Sequence, residues 1–257
     1  LAPALGHAAE TRKRFSNRTN KDFKHLRSNF EKSCGMKLST FDRHLKEVET
    51  QFKIPKEVFY SMMLQETGGR CDKTGPAGEI GLFQRLTGGS RDPVKSLRLA
   101  AKDLRDKLEI LSQKNIRAKD GSTYKGFAVE SIFRKNGMPT EFGMRLAISA
   151  YNSNELWALR AKSDLNKFNG KHGTKLSAYN WEDLRVFYLR RALTEKDRKR
   201  LMDDGPTGRA VGTVDNPKGS LINLGYMENV IPRQTERKQT IFKTVACWKN
   251  PTLTLCK

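Results

Sequence analysis

The sequence predicts a mainly α-helical protein. Apolar residues recur every three or four positions along several stretches, which is the period of a helix that buries one face. Stretches with a strand pattern are few, and Pro and Gly stand where the helical stretches break. At 257 residues the chain is long enough to bury a core without a metal ion or a dense set of disulfides.

The first helices are predicted from apolar spacing and from the residues that flank it. Residues 1–37 are polar and basic with sparse apolar positions, so we expect a flexible start and then one helix. A second helix is expected to be capped by Ser39 or Thr40, residue types that accept hydrogen bonds from the free N–H groups of a helix start. Pro55 then breaks this helix and suits the first position of the next one.

The third helix is the most apolar in the chain. It carries Met62 and Met63, reaches Glu66, and meets a stop signal at Gly68 and Gly69. Glycine readily adopts the left-handed conformation that closes a helix, so we expect the helix to end there.

The rest of the chain is predicted to alternate loops with further helices. A glycine-rich loop is expected over residues 70–91, and Asp92-Pro93 should begin a helix. Loops are also predicted over 113–127 and 202–220. The remaining predicted elements are helices over 128–133, 142–151, 155–165, 181–193 and 221–230, and a small hairpin over 240–247 and 252–256.

The chain is strongly basic. Lys and Arg number 49 against 28 Asp and Glu, for a net charge of +21, so polyanions will attract it. Nucleic acid, anionic lipid headgroups and anionic cell-wall polymers all qualify, and a basic surface that only faces solvent is the alternative. Because the sequence holds no helix-turn-helix, RRM or zinc-finger pattern, we expect no nucleic-acid partner.

The four cysteines predict two disulfides. None stands in a CxxC pair, and the histidines show no metal-ligand spacing, so we expect neither a metal site nor a cofactor. An even count fits an oxidising compartment, and four free thiols in a cytosolic protein is the alternative. Three pairings are possible. We favour Cys34 with Cys71 and Cys247 with Cys256, because the second pair would close a short loop around Pro251.

We expect a secreted or periplasmic protein. The chain begins at Leu1 rather than Met, as a mature form would after removal of a signal. No apolar stretch has the length of a transmembrane helix. A single soluble chain, hence a monomer, is the expected state.

Glu66 is the candidate catalytic acid. Cleavage of a glycosidic bond needs a carboxylic acid that stays protonated near neutral pH, and an apolar surround raises the pKa of such a group. Glu66 follows Met62 and Met63 by one turn, and the loop after it would leave the carboxylate facing a cleft. A solvated charge at a helix end is the alternative.

Several motifs, in order, resemble those of the lytic transglycosylase and goose-type lysozyme superfamily. The stretch FDRHLKEVETQFKIPKEVFYSMMLQETGGRCDKTGPAGEIGLFQ resembles its core, in which a helix ends in a catalytic Glu followed by Ser or Thr, as at Glu66-Thr67. Gly-Leu-Phe-Gln at 81–84 matches Gly-Leu-Met-Gln at the spacing of the bacterial soluble enzymes. AISAYNSN resembles the Ala-Tyr-Asn-Ala-Gly motif, and INLGYMENVIPR resembles the last motif, which carries a tyrosine.

The resemblance implies an enzyme with a lysozyme-like fold that cleaves the MurNAc–GlcNAc β-1,4 bond in peptidoglycan glycan strands. Glu66 would act as general acid and base. Gln84 and Asn152 would hold sugar amides and hydroxyls. Tyr226 would donate to the Glu66 carboxyl or to substrate, and Tyr151 would pack or form a platform for a sugar ring. For both tyrosines a buried core ring is the alternative.

The resemblance also sets the expected domain boundaries. It covers residues 38–233 as the catalytic domain, with 1–37 as a basic helical extension and 234–257 as a small C-terminal extension. An insertion over about 186–219 lengthens the chain before the last motif. Tyr188 is therefore the alternative for the tyrosine of that motif.

The loop after Glu66 departs from the superfamily pattern at two positions. Gly75 stands where the superfamily has serine, and Glu79 where it has alanine. Transglycosylases need one carboxylate, because the substrate's N-acetyl group assists, whereas a hydrolase commonly uses two. Glu79 as a second catalytic carboxylate favours lysozyme-type hydrolysis. It also favours deacetylated peptidoglycan, the substrate of specialised lysozymes of predatory bacteria, and a solvent-facing glutamate is the alternative.

Two other functions stay open. One is a non-hydrolytic lytic transglycosylase that releases 1,6-anhydro-muropeptides. The other is a catalytically inactive basic protein that binds glycan or nucleic acid. The joint presence of Glu66, Gln84 and Asn152 favours an enzyme.

Overall fold

The computed structural model describes residues 24–188, and within this range the chain is mainly helical, as predicted. The described residues fall into two compact units, 24–101 and 102–188, with the boundary inside the fourth helix. The elements are α1 (24–34), α2 (Leu38–Phe52), α3 (Lys56–Thr67), α4 (Pro93–Leu111), β1 (Ile116–Arg117), β2 (Thr123–Tyr124), α5 (Val129–Ile132), α6 (Glu141–Asn152), α7 (Leu156–His172) and α8 (Trp181–Tyr188).

Helix α2 packs one face into the core of the first unit. Its buried residues are Leu38, Phe41, Leu45 and Val48, which recur at helical spacing. Phe30 of α1 lies against Phe41, with the ring centroids 4.8 Å apart. The N-terminal helix is therefore built into the core of this unit.

The start of α2 corrects a detail of the sequence prediction. The helix begins at Leu38 with Lys37 at the N-cap; the Lys37 side chain makes no capping bond, and the Leu38 N–H donates to Glu31 Oε1 at 3.2 Å. Ser39 and Thr40 therefore lie inside the helix, where burial of Leu38 extends the element beyond the expected cap.

Helix α3 is buried over six consecutive residues, from Val58 to Met63. Pro55 is its N-cap rather than its first residue. The carboxylate of Asp42 on α2 accepts hydrogen bonds from the Tyr60 hydroxyl at 2.9 Å and from Lys56 Nζ at 3.2 Å. These bonds join α2 to α3 across the core.

The second unit contains a hairpin that the sequence pattern does not predict. Strands β1 and β2 pair antiparallel with Ile116 opposite Tyr124 and Arg117 opposite Thr123, inside the predicted loop 113–127. Two residues per strand are too few to produce a readable alternation of polar and apolar positions. The predicted hairpin over 240–247 and 252–256 lies outside the described residues.

Helix α7 is longer than predicted. It continues to His172 because Phe168 is buried against Phe187 of α8, with the ring centroids 5.6 Å apart. The helix closes at Gly173, whose φ is 64°. Among the described residues, no helix combines the length and apolarity needed to cross a membrane.

The predicted pair Cys34 and Cys71 forms a disulfide, with the Cα atoms 5.2 Å apart. It joins the end of α1 to the segment that follows α3. The other predicted pair, Cys247 and Cys256, lies outside the described residues.

Candidate active site

The end of α3 is the centre of the candidate site, and two glycines close it. Gly68 and Gly69 have φ angles of 62° and 89°, a region that glycine enters without steric cost. Their N–H groups fold back onto the carbonyl oxygens of Leu64 and Met63, each at 3.2 Å. The predicted stop is confirmed, and Glu66 lies in the last turn of the helix.

Glu66 is half-buried at the edge of an apolar core. Met62 and Met63, one turn earlier, are fully buried. The main-chain oxygen of Glu66 accepts a hydrogen bond from Lys73 Nζ at 2.9 Å. A cation at this end of a helix is favourable, because the unpaired carbonyl groups give it a partial negative charge.

Thr67 connects the helix end to the following loop. Its hydroxyl donates toward the carbonyl oxygens of Met63 and Leu82, each at 3.2 Å. The same oxygen accepts from the N–H groups of Gly69 and Arg70, each at 3.2 Å. Thr67 is buried, so these bonds fix the backbone next to Glu66 and attach it to the Gly-Leu-Phe-Gln segment.

Lys73 makes a second connection between the helix end and that segment. Its side chain binds the Glu66 carbonyl oxygen, and its own carbonyl oxygen accepts from Gly81 N and Gln84 Nε2, both at 3.2 Å. Glu66 and Gln84 are therefore linked through one residue. No motif in the sequence singles out Lys73.

Gln84 has an unusual backbone conformation, and its side-chain amide nitrogen donates two hydrogen bonds within the loop. Its φ is 44°, which is unusual for a residue with a side chain. Its Nε2 donates to the carbonyl oxygens of Gly81 at 2.8 Å and Lys73 at 3.2 Å. The amide nitrogen holds the loop, which leaves Oε1 as the group suited to accept a bond from a substrate N–H or O–H.

Glu79 and Gln84 converge on Gly75. A Cβ atom at residue 75 would stand 2.7 Å from Gln84 Oε1 and would collide with the Glu79 carboxylate. Glu79 Oε2 accepts a hydrogen bond from Ala77 N at 3.0 Å. The two departures from the superfamily pattern are thus structurally coupled, since the Glu79 carboxylate occupies the space that a side chain at residue 75 would need.

The backbone of the loop depends on a glycine at residue 81. Its φ is 83°, and a Cβ atom there would collide with the Ser90 carbonyl oxygen. The backbones of residues 81 and 90 approach closely because they pair as an isolated parallel β-bridge. Glycine is required at this position for both conformation and space.

The second unit carries Tyr151 and Asn152 as the last two residues of α6. Tyr151 is half-buried and Asn152 is exposed. The start of this helix is capped by the Thr140 hydroxyl, which accepts from Gly143 N at 2.9 Å. Tyr226 lies outside the described residues, as does the side chain of Tyr188.

The candidate residues therefore fall into two groups. Glu66, Glu79 and Gln84 lie in the first unit, and the hydrogen bonds of Thr67 and Lys73 tie Glu66 to the Gln84 segment. Tyr151 and Asn152 are adjacent in the second unit. No group of three metal-ligating side chains occurs within residues 24–188.

No family model, curated protein or solved structure matches the chain. Its function is therefore inferred from the chemistry of the site and from the resemblance of its motifs.

Proposed function

We propose that this protein is a secreted or periplasmic glycosidase with a lysozyme-like fold that cleaves the MurNAc–GlcNAc β-1,4 bond of peptidoglycan. The observation that carries the proposal is the attachment of the Gly-Leu-Phe-Gln segment to the end of α3 by Thr67 and Lys73. It sets a half-buried glutamate beside a loop whose amide oxygen is suited to bind a sugar substituent.

We assign the role of general acid to Glu66 because it is half-buried and follows Met62 and Met63, which are fully buried, by one helical turn. The acid protonates the leaving glycosidic oxygen. The resulting carboxylate then takes a proton from the group that attacks the anomeric carbon.

Gln84 orients the substrate in this mechanism. Because its amide nitrogen is bound to two carbonyl oxygens of the loop, its Oε1 has a fixed direction. A fixed acceptor binds one hydroxyl or amide of a sugar without losing side-chain freedom on binding. Tyr151, Asn152 and Tyr226 keep the substrate-binding roles that the motif resemblance implies.

Glu79 points to hydrolysis rather than to anhydro-sugar formation. Its bond to Ala77 N and its position beside Gly75 hold a carboxylate in the same loop as Gln84. A deacetylated sugar carries an ammonium group in place of the acetamide and cannot assist its own cleavage. A held carboxylate could pair with that ammonium and assist attack by water, so we propose deacetylated peptidoglycan as the preferred substrate.

The proposal is tested with purified sacculi and the variant Glu66→Gln. Loss of a general acid costs on the order of a hundredfold or more in rate, so the variant should release almost no soluble fragments. The control is Glu57→Gln, the same change at the other end of α3, which should keep near-normal activity. Full activity in Glu66→Gln would refute the assignment.

Mass spectrometry of the released fragments distinguishes the two chemistries. Hydrolysis adds water to each fragment, whereas lytic transglycosylation produces 1,6-anhydro ends. The comparison of acetylated with deacetylated sacculi tests the preference, and Glu79→Ala should narrow it. Equal rates on both substrates would contradict the proposed specificity.

A further inference from the structure

The N-terminal helix α1 meets the segment just beyond Glu66 at several points. Leu26, Asn29 and Ser33 recur at helical spacing, so they lie on one face of α1. Residues 68–71, which follow α3 directly, lie against this face. The contacts join parts of the chain that are far apart in sequence.

Each contact fixes a different backbone group of that segment. Asn29 Nδ2 donates to the Gly68 carbonyl oxygen at 3.0 Å. The Ser33 hydroxyl accepts from Cys71 N at 3.0 Å and donates to the Asn29 carbonyl oxygen at 2.8 Å. Gly68 is thereby held from outside the helix that it closes.

Packing and a covalent bond add to these hydrogen bonds. A Cβ atom at Gly69 would stand 2.7 Å from Leu26 Cδ1, so the backbone of Gly69 lies directly against α1. The disulfide between Cys34 and Cys71 closes the far end of the contact. Leu26 is fully buried.

We propose that one face of α1 positions Glu66, with Asn29 as the principal positioning residue. This inference rests on the proposed function. Carbonyl groups at a helix end lack intrahelical donors, so they need donors from elsewhere in the chain. Asn29 supplies one such donor two residues after Glu66.

The expected consequence is a loss of turnover without a comparable loss of substrate binding. Asn29→Asp keeps the side-chain shape but replaces the donor with an oxygen that faces the Gly68 carbonyl oxygen. The end of α3 should shift, and a displacement of about 1 Å at a reacting group can lower a rate by as much as a hundredfold. We expect kcat on sacculi to fall by about tenfold, with KM little changed.

The experiment compares Asn29→Asp and Asn29→Ala with Ser28→Asp in the full chain. Ser28 is exposed on the same helix, so its variant adds the same charge without touching α3. For each chain, kcat, KM and the melting temperature are measured on one preparation. Hydrogen exchange is measured at the amides of residues 69–71, which reports on the segment independently of activity.

Faster exchange at residues 69–71 with a lower kcat in both Asn29 variants, and neither effect in Ser28→Asp, supports the proposal. Unchanged exchange and kcat in the Asn29 variants overturn it while leaving the proposed function intact. Faster exchange with an unchanged kcat also overturns the proposal, because α1 would then stabilise the segment 68–71 without affecting the position of Glu66. A wild-type chain that releases no fragments from sacculi refutes the proposed function, and the positioning role with it.

Discussion

The polar groups inside the two units have different kinds of partners. In the first unit, the buried Thr67 hydroxyl and the half-buried Asp42 carboxylate both bind hydrogen-bond donors, which for Asp42 are the side chains of Tyr60 and Lys56. In the second unit, the buried ammonium of Lys162 lies against the Gly126 carbonyl oxygen and over the rings of Phe127 and Tyr179. The first unit, which holds Glu66, joins its polar groups to one another by hydrogen bonds, whereas the second unit encloses a desolvated ammonium group.

The largest expected effect comes from Gly81→Ala in the first unit. The substitution adds a collision with the Ser90 carbonyl to the strain of a positive φ, for a loss of roughly 3 kcal/mol in the free energy of unfolding. Gly78→Ala is the control, since Gly78 has a φ of 91° but nothing within 4 Å of the added atom. It should cost about 1 kcal/mol. Equal losses in urea titrations of both variants would show that residues 81 and 90 do not approach closely.

The second largest expected loss of stability is that of Thr67→Val. It removes the acceptor of the Arg70 N–H and the donor to the buried Leu82 carbonyl oxygen, whereas Gly69 N keeps its bond to the Met63 carbonyl oxygen. We expect a loss of about 2 kcal/mol in the free energy of unfolding. Thr50→Val is the control, because the exposed Thr50 hydroxyl bonds only to the Lys46 carbonyl oxygen on α2. Thermal unfolding should separate the two variants by several degrees, and the absence of any difference would remove Thr67 as a connection.

Tyr60→Phe tests the polar cluster between α2 and α3. Loss of the hydrogen bond to the Asp42 carboxylate should cost about 1.5 kcal/mol at neutral pH. Burial, and then the Asp42 charge, raise the pKa of Tyr60 well above its ordinary value. The folded state therefore keeps the phenol protonated, and its stability is full below about pH 10 and falls as the pH rises further.

This alkaline loss should be weaker in Tyr60→Phe, as measured by denaturant titration from pH 8 to 11. Tyr124→Phe, at a half-buried tyrosine of the second unit, serves as the control. If stability falls with pH equally steeply in wild type and Tyr60→Phe, the alkaline loss of stability does not come from Tyr60.

The smallest expected change in stability is that of Lys162→Met, which should stabilise the protein slightly or leave its stability unchanged. Burial, and then the charge of Lys125, lower the pKa of Lys162. A lowered lysine pKa means that stability is full above the ordinary pKa and is lost as the pH falls through the folded-state value. At pH 7 we therefore expect Lys162→Met to match or slightly exceed wild type in melting temperature.

The exposed Lys167 on the same helix provides the control, since Lys167→Met should leave stability unchanged at every pH. A clear loss of stability in Lys162→Met at pH 7 would show that the second unit depends on its buried ammonium.

The sequence predicts the elements of this fold well where local rules apply. Gly68-Gly69 closes α3, Pro93 begins α4 directly after Asp92, and Cys34 pairs with Cys71, all as expected. The helix ends depend on the conformational preferences of residues adjacent in sequence. The disulfide was predictable because four cysteines allow only three pairings.

The sequence does not predict how α1 meets the end of α3. That contact joins residues 29 and 68, and its hydrogen bonds depend on tertiary packing, which leaves no periodic signal. The same holds for Lys73, whose two connections become visible only when the loop is folded. Glu79 departs from a motif and is visible in the sequence, whereas its contact with Gly75 depends on how the loop folds.

The disulfide has a consequence for how the protein is made. Cys34 and Cys71 are separated by 37 positions, and the ring that they close contains the whole of α2 and α3. Cross-linking a ring of this length reduces the freedom of the unfolded chain by roughly 4 kcal/mol. Both sulfur atoms precede the second unit in order of synthesis, so the ring can close before that unit has been made. A chain produced in a reducing cytoplasm lacks this covalent ring, and its yield should improve on export to an oxidising compartment.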